Sequence, residues 1–270
     1  MSNGTMIIKR DGTKEHLNID KIHKVVEHAC LDLAGVSSSQ IEMNANIQFY
    51  DGMSTDEIQE VLIRSANDLI SLDVPNYQYA AARLLSYSVN KQVFGEYNAI
   101  TFKENINRNI ERNVYDAAIL DYYTEEELNT LDSYIRHKRD ENFTYAGLRQ
   151  VVDKYLCQDR STGQIFESPQ FMYMMIAATL FNNYPADTRM QYVRKYYDAT
   201  SLFKVNIPTP VMAGVRTPVR QFASCVLVDA DDTLDSIFAS DMSIGRYTAQ
   251  RAGIGINAGR IRGVNSRIRG

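Results

Sequence analysis

From Gln250 to Gly270 the chain reads QRAGIGINAGRIRGVNSRIRG, so that Arg260, Arg262, Arg267 and Arg269 follow glycines at Gly253, Gly255 and Gly259. Guanidinium forks match phosphate oxygens, and a glycine-loosened backbone lets several of them converge on one anion. The same spacing also suits a solvated basic loop. The glycines fit neither the phosphate-cradling loop, which needs a following Gly-Lys-Ser/Thr, nor the dinucleotide fingerprint, which lies between a strand and the helix after it. They fall within a strand, where close backbone packing is the simplest reason for them. Upstream, Asp232 reads as the N-cap of a helix, with Asp235 in its first turn. A helix N-terminus can hold phosphate, and a capping carboxylate can instead accept a ribose hydroxyl.

Cys225 lies in the middle of FASCVLV. A thiol there is either a small apolar core residue or a redox group that needs a second cysteine close in space. Cys30 and Cys157 fall on unrelated elements and offer no evident partner. Near the other end, Lys9, Arg10 and Lys21 flank a hairpin and the helix after it, and Lys91 comes late in a third helix. A small domain turning these cations toward one groove would bind a triphosphate, whereas scattered solvated lysines would show the same pattern.

The elements that must position these residues are legible in outline. TMIIK and TKEHLNI flank Arg10-Asp11-Gly12, and Asp-Gly is a strong hairpin signal. Asn18 caps a helix carrying Ile22, Val25, Val26, Ala29 and Leu33, with Gly35 as its stop. Ser54 and Glu57 have capping-box spacing before a stripe of Ile58, Val61, Leu62, Leu69 and Ile70. Pro75 breaks the chain before a helix from Tyr77 to Phe94 that ends at Gly95. From there to about Leu202 the signals are mainly helical, with a second capping box at Thr124 and Glu127. Ser168-Pro169 opens an apolar helix, and KYLCQDRSTGQIFES before it reads as a hairpin. A buried strand over Phe222–Val228, the helix capped by Asp232 and the strand GIGINAG make a βαβ unit.

Bulk properties bound the answer. The 270 residues are 44% hydrophobic and 23% charged, which provides for a sizeable core and two or three domains. A net charge of -4 gives no support to a general nucleic-acid binder. No run of 18 apolar residues and no signal-peptide layout is present, so an intracellular, cytoplasmic protein without membrane association is expected. Three cysteines and four histidines, all scattered, offer neither a disulfide framework nor metal-ligand spacing, and no metal site is expected.

In order along the chain, KRDG with NIDKIH, IQFYDGMSTDEI, PNYQYAAARLL, DYYTEEEL, PTPVMAGVRTP, ASCVLVD, DTLDSI and QRAGIGINAGRIR resemble the large subunit of class I (aerobic) ribonucleotide reductases. The likeness covers the whole chain. It implies a mainly α fold with α/β parts: an ATP-cone of hairpin plus helices over 1–95 and a helical domain over 96–220. Residues 221–270 would be the first strands of a ten-stranded α/β barrel, left incomplete, with the specificity-site helix and loop. The implied activity is reduction of ribonucleoside diphosphates to deoxyribonucleoside diphosphates by radical chemistry with dithiol oxidation, under allosteric control. The chain would be the N-terminal portion, inactive without a complementary C-terminal portion that holds the radical cysteine and the partner of Cys225.

The resemblance assigns residues as well. Cys225 matches a member of the reducing cysteine pair, and Thr209 and Ser224 match substrate-contact positions. Lys9, Glu15, His16, Leu17, Asn18, Ile19, Asp20, Lys21, Thr55 and Lys91 match the activity site that takes ATP or dATP. Asp232, Thr233, Leu234, Arg262 and Arg269 match the site where deoxynucleoside triphosphates or ATP set specificity, at a homodimer interface. Gln59 stands where the family commonly has histidine and Tyr87 where it has phenylalanine, departures that bear on inhibition by dATP. No cofactor is implied in the chain itself. A partner small subunit would supply a diiron-tyrosyl radical, and thioredoxin or glutaredoxin the external electrons. The alternative is a non-catalytic ATP/dATP-binding regulator that retains the cone.

Overall fold

The computed structural model describes residues 4–95, 98–250 and 252–267. Strands β1 (Met6–Ile8) and β2 (Lys14–His16) pair antiparallel, with Ile7 opposite Glu15. The Asp-Gly turn works as expected: Gly12 takes φ 81°, and the Asp11 carboxylate accepts from the Thr13 amide at 2.9 Å and from its hydroxyl at 2.6 Å. The Asn18 side chain accepts from the Lys21 amide at 3.0 Å and caps α1 (Ile19–Cys30). That helix stops before Leu33 and Gly35, earlier than its apolar spacing suggests. Leu31 already has ψ 134°, and Asp32 sits at φ 59°, a left-handed conformation that no helix can run through.

Two elements have no clear sequence signal. Helix α2 (Ser38–Asn46) is largely polar and is held by fully buried Ile41 and Ala45. Strand β3 (Met53–Ser54) has only two residues and pairs parallel with β1, so the sheet order is β2-β1-β3. It runs straight into α3 (Thr55–Asp68), whose capping box is complete: Ser54 Oγ accepts from the Glu57 amide at 3.2 Å, and Glu57 accepts from the Ser54 amide at 2.8 Å. Helix α4 (Tyr77–Phe94) ends on Gly95 at φ 76°.

The middle of the chain is helical: α5 (Phe102–Glu111), α6 (Ile119–Tyr122), α7 (Glu125–Tyr134), a 3-10 helix (His137–Asn142), α8 (Tyr145–Lys154), α9 (Pro169–Leu180), α10 (Ala186–Ser201) and α11 (Thr209–Gly214). Helix α9 is buried on every side from Pro169 to Ala178, as an all-apolar helix must be. Helix α4 packs against α3 on one side and α8 on another, so one apolar core runs from Ile7 to Val215. The hairpin expected before α9 shrinks to a single antiparallel bridge, Gln158 opposite Ile165. Beside it the Cys157 amide donates to the Glu167 carboxylate at 2.6 Å, so the backbone there is engaged by a buried side chain instead of a ladder.

The last part is the expected βαβ unit. Strands β4 (Cys225–Asp229) and β5 (Gly253–Asn257) pair parallel, Cys225 opposite Gly253, and α12 (Leu234–Ala249) crosses between them. Two expectations fail here. The strand is not buried: α12 packs on both strands, but Cys225 and Leu227 stay exposed. Asp232 does not cap α12. Thr233, extended at φ -129°, takes that place and accepts from the Ser236 amide at 3.1 Å, while the Asp232 carboxylate is held by an arginine.

Candidate functional site

Three places gather the residues in question. In the first, Lys9 follows β1 and Glu15 lies on β2, directly across from Ile7. Lys9 Nζ is 2.8 Å from Glu15 Oε2, and Lys21 Nζ, in the first turn of α1, is 3.7 Å from Oε1. Hydrogen bonding from Lys9 lowers the Glu15 carboxyl and raises the lysine. Thr55 opens α3 at the end of the strand next to β1, where Arg10 donates through Nε and Nη2 to Asp56 at 2.8 and 2.6 Å. His16 ends β2, Leu17 packs on the core, and Asn18, Ile19 and Asp20 form the start of α1.

Lys91 stands apart. No ion pair or hydrogen bond ties it to Lys9, Glu15 or Lys21 among the described residues. Its ammonium lies 5.7 Å from the centre of the Tyr87 ring, and both line a cavity of about 400 Å³ with His28, Arg83 and Asp140. Gln59 is engaged elsewhere, since its amide donates to the Leu84 carbonyl at 2.9 Å and ties α3 to α4.

In the second place, Thr209, Ser224 and Cys225 come together. They line one open cavity of about 780 Å³ with Tyr155, Asn206 and Gly253. Ser224 Oγ is 3.8 Å from Cys225 Sγ. The glycine reading holds at this spot: a Cβ on Gly253 would come within 3.3 Å of the Ser224 carbonyl, whose oxygen accepts from the Gly253 amide at 2.9 Å. Cys30 and Cys157 lie elsewhere. Burial raises their thiols to about 11 and about 12, which keeps both protonated.

The third place is the start of α12. Arg262 Nε donates to Asp232 Oδ2 at 2.7 Å, its amide donates to Oδ1 at 3.2 Å, and its Nη1 reaches the Arg267 carbonyl at 3.0 Å. The hydrogen bond from Arg262 lowers the Asp232 carboxyl and raises the guanidinium. Arg260 pairs with both Asp229 and Asp231 at 3.1 Å. Two arginines of the basic stretch are therefore partnered by aspartates of the β4–α12 turn. Thr233 caps the helix, Leu234 is exposed beside it, and Arg269 lies outside the described residues.

Comparison with known proteins identifies the domains. A family model for the ATP cone domain matches residues 5–92, one for the ribonucleotide reductase all-alpha domain matches 141–220, and one for the barrel domain matches 223–270. The chain is 50% identical over all 270 residues to the ribonucleoside-diphosphate reductase subunit alpha of Haemophilus influenzae and to the reductase 1 subunit alpha of Escherichia coli. It belongs to the ribonucleotide reductase large-subunit family. The subunit alpha of Enterobacteria phage T4 is 43% identical over 264 residues, 97% of this chain and 34% of that protein. The chain spans 36% of the length of the two bacterial relatives.

Within this reductase-family chain, sequence reasoning did not single out Tyr155, which lines the same cavity. Tyr155 has its hydroxyl 3.3 Å from Thr209 Oγ1. It sits 54 positions away, on the end of a different helix, and nothing in its own neighbourhood marks it. No helix among the described residues is long and apolar enough to cross a membrane.

Proposed function

We propose that the chain supplies the effector sites and the first barrel strand of a ribonucleoside-diphosphate reductase. The reaction replaces the ribose 2'-hydroxyl by hydrogen. The hydroxyl leaves as water, and two thiols become a disulfide, which accounts for the two electrons and two protons consumed. Cys225 is one of those thiols, and Thr209 and Ser224 hold the substrate through their hydroxyls. The observation that carries this reading is the single cavity lined by Thr209, Ser224 and Cys225, with the thiol exposed to it from a strand end.

Lys9, Glu15, His16, Leu17, Asn18, Ile19, Asp20, Lys21, Thr55 and Lys91 take ATP or dATP. The Lys9–Glu15–Lys21 cluster offers ammonium groups for phosphate and a carboxylate for sugar or base. Asp232, Thr233, Leu234, Arg262 and Arg269 take a deoxynucleoside triphosphate or ATP. Leu234, Phe238 and Met242 form an exposed apolar stripe at helical spacing on α12, which suits a homodimer contact beside that site. The remainder of the large subunit, a small subunit carrying a diiron-tyrosyl radical, and thioredoxin or glutaredoxin complete the system, in the cytoplasm.

The test is turnover. Combined with the rest of a large subunit and the small subunit, the wild-type chain reduces nucleoside diphosphate with a dithiol reductant, and Cys225→Ser does not sustain multiple turnovers. An assembly that binds ATP but reduces no substrate would instead fit a regulator that keeps the cone.

A further inference from the structure

We propose that Tyr155 is a positioning residue for the substrate: its hydroxyl sets the direction in which Thr209 donates a hydrogen to a phosphate oxygen of the nucleoside diphosphate. This rests on the reductase reading above and adds to it a residue that the family resemblance does not assign.

The argument begins with Thr209 itself. It is the first residue of α11, which Pro208 introduces with no side-chain capping bond, so the threonine hydroxyl is not consumed by its own helix. Among the described residues its hydrogen-bond partner is Tyr155, at 3.3 Å, and both line the cavity that holds Ser224 and Cys225. Each hydroxyl has one hydrogen to give and two lone pairs. A phenol is far more acidic than an aliphatic alcohol and is the better donor of the two. With Tyr155 donating to Oγ1, the threonine hydrogen is turned away from the phenol and into the cavity. There it suits an anionic oxygen, since a hydrogen bond to a charged acceptor is roughly twice as strong as a neutral one.

The pair is also held rigidly. Tyr155 ends α8, its amide donating to the Val151 carbonyl at 2.9 Å. Its own carbonyl accepts from Arg216 Nη2 at 2.8 Å. The same guanidinium donates through Nη1 to the Met212 carbonyl, inside the helix that Thr209 opens. One fully buried arginine thus fixes the main chain on both sides of the hydroxyl pair. The Arg216 fork is in turn locked by Glu167, also without exposure. Groups held this way keep their geometry when a ligand arrives.

The test uses the assembled enzyme, large subunit with small subunit, and steady-state kinetics on a nucleoside diphosphate. Tyr155→Phe keeps the ring and removes the hydroxyl. It is expected to raise KM about three- to tenfold, the size of one modest hydrogen bond, with kcat within about twofold. Thr209→Val raises KM at least as much, and Thr209→Ser, which keeps the hydroxyl, restores it. Because Tyr155 acts through Thr209, the Tyr155→Phe, Thr209→Val double variant is no worse than Thr209→Val alone. Thermal midpoints of the single variants stay at the wild-type value, which separates positioning from stability. An unchanged KM in Tyr155→Phe, or additive effects in the double variant, overturns the proposal while leaving the reductase reading intact. A wild-type assembly that reduces no nucleoside diphosphate overturns both.

Discussion

Arg216 Nε donates to both carboxylate oxygens of Glu167, at 3.1 and 2.9 Å, and neither side chain has any exposed surface. Around them Tyr115 donates its hydroxyl to Glu167 Oε2 at 2.5 Å, and the Cys157 amide donates to Oε1. Burial alone would lower the guanidinium's pKa. The neighbouring Glu167 carboxylate more than offsets this and raises it. The pair joins α11 to the segment between α8 and α9, so the wall carrying Thr209 depends on it.

Removing one member strands a buried charge. Glu167→Ala should therefore destabilise the chain by about 3–5 kcal/mol, read by denaturant unfolding. Replacing both members by apolar residues of similar size, Glu167→Leu with Arg216→Met, should cost far less. Equal losses in the single and double variants would show that the pair acts through packing rather than charge.

The elements around this pair show what could and could not be read from the sequence. Hairpin, capping boxes at Ser54 and Thr124, and the Ser168-Pro169 helix start are local signals, and they stand where expected. Helix α2 and strand β3 were not legible, because their structure comes from the core they pack on and not from their own pattern. Cys225, Ser224 and Thr209 were found by resemblance, and the fold brings them together. Tyr155 was not legible, because what brings it to the cavity is a contact across 54 residues. Asp232 was misplaced as a cap, since its carboxylate goes to Arg262, 30 residues on, a contact no local rule anticipates.

Asp140 makes stability depend on pH. It is fully buried, and burial raises its carboxyl to about 7, against a hydrogen bond from Gln170 Nε2 at 2.7 Å that favours the charged form. Between its ordinary value of 3.8 and about 7 the folded chain holds a proton that the unfolded chain has lost. Stability from this group is therefore complete below about pH 4 and declines as pH rises toward 7. Asp140→Asn removes the titration. Its thermal midpoint should gain on wild type by several degrees, on the order of 2–8 °C, between pH 5 and pH 7.5. A constant difference across that range would show that the carboxyl does not titrate there.

The Lys9–Glu15–Lys21 cluster should bind ATP in this chain. Calorimetry with Mg-free ATP should show saturable binding, and Lys9→Ala should weaken it several-fold by removing a charged hydrogen-bond donor to phosphate. Raising the salt concentration should weaken it too, since the lysine side chains are 41% and 69% exposed. Absence of any heat of binding would remove the activity site from the chain.

The Arg262–Asp232 contact should respond to effector. A triphosphate competing for the guanidinium would loosen the bond at 2.7 Å that pins the loop to the start of α12. Asp232→Ala frees Arg262, whose amide and side chain both lose an acceptor. Hydrogen exchange over 260–267 should then speed up several-fold in the variant, as a charged contact that pins the loop is lost. Unchanged exchange would mean that the Arg260 pairs with Asp229 and Asp231 hold the loop without it.

Cys225 can be tested at two levels. Of the three thiols it alone is exposed, on a strand end facing the cavity with Thr209 and Ser224, while Cys30 and Cys157 are partly shielded and pushed up by burial to about 11 and about 12. Alkylation needs both access and thiolate. Iodoacetamide at pH 8 should therefore label Cys225 at least about tenfold faster than Cys157, as read by mass spectrometry of peptides, and protection by a nucleoside diphosphate should slow that label selectively. In the assembled enzyme Cys225→Ser keeps the size of the side chain but cannot form a disulfide. Each reduction consumes the electron pair of the dithiol, so the variant should form no deoxynucleotide product while binding effector at the α12 site as wild type does. Cys30→Ser and Cys157→Ser should leave turnover unchanged and cost only stability, Cys157 the more because it lies against the Arg216–Glu167 pair. Normal multiple turnover in Cys225→Ser would reduce this thiol to a surface residue of the strand.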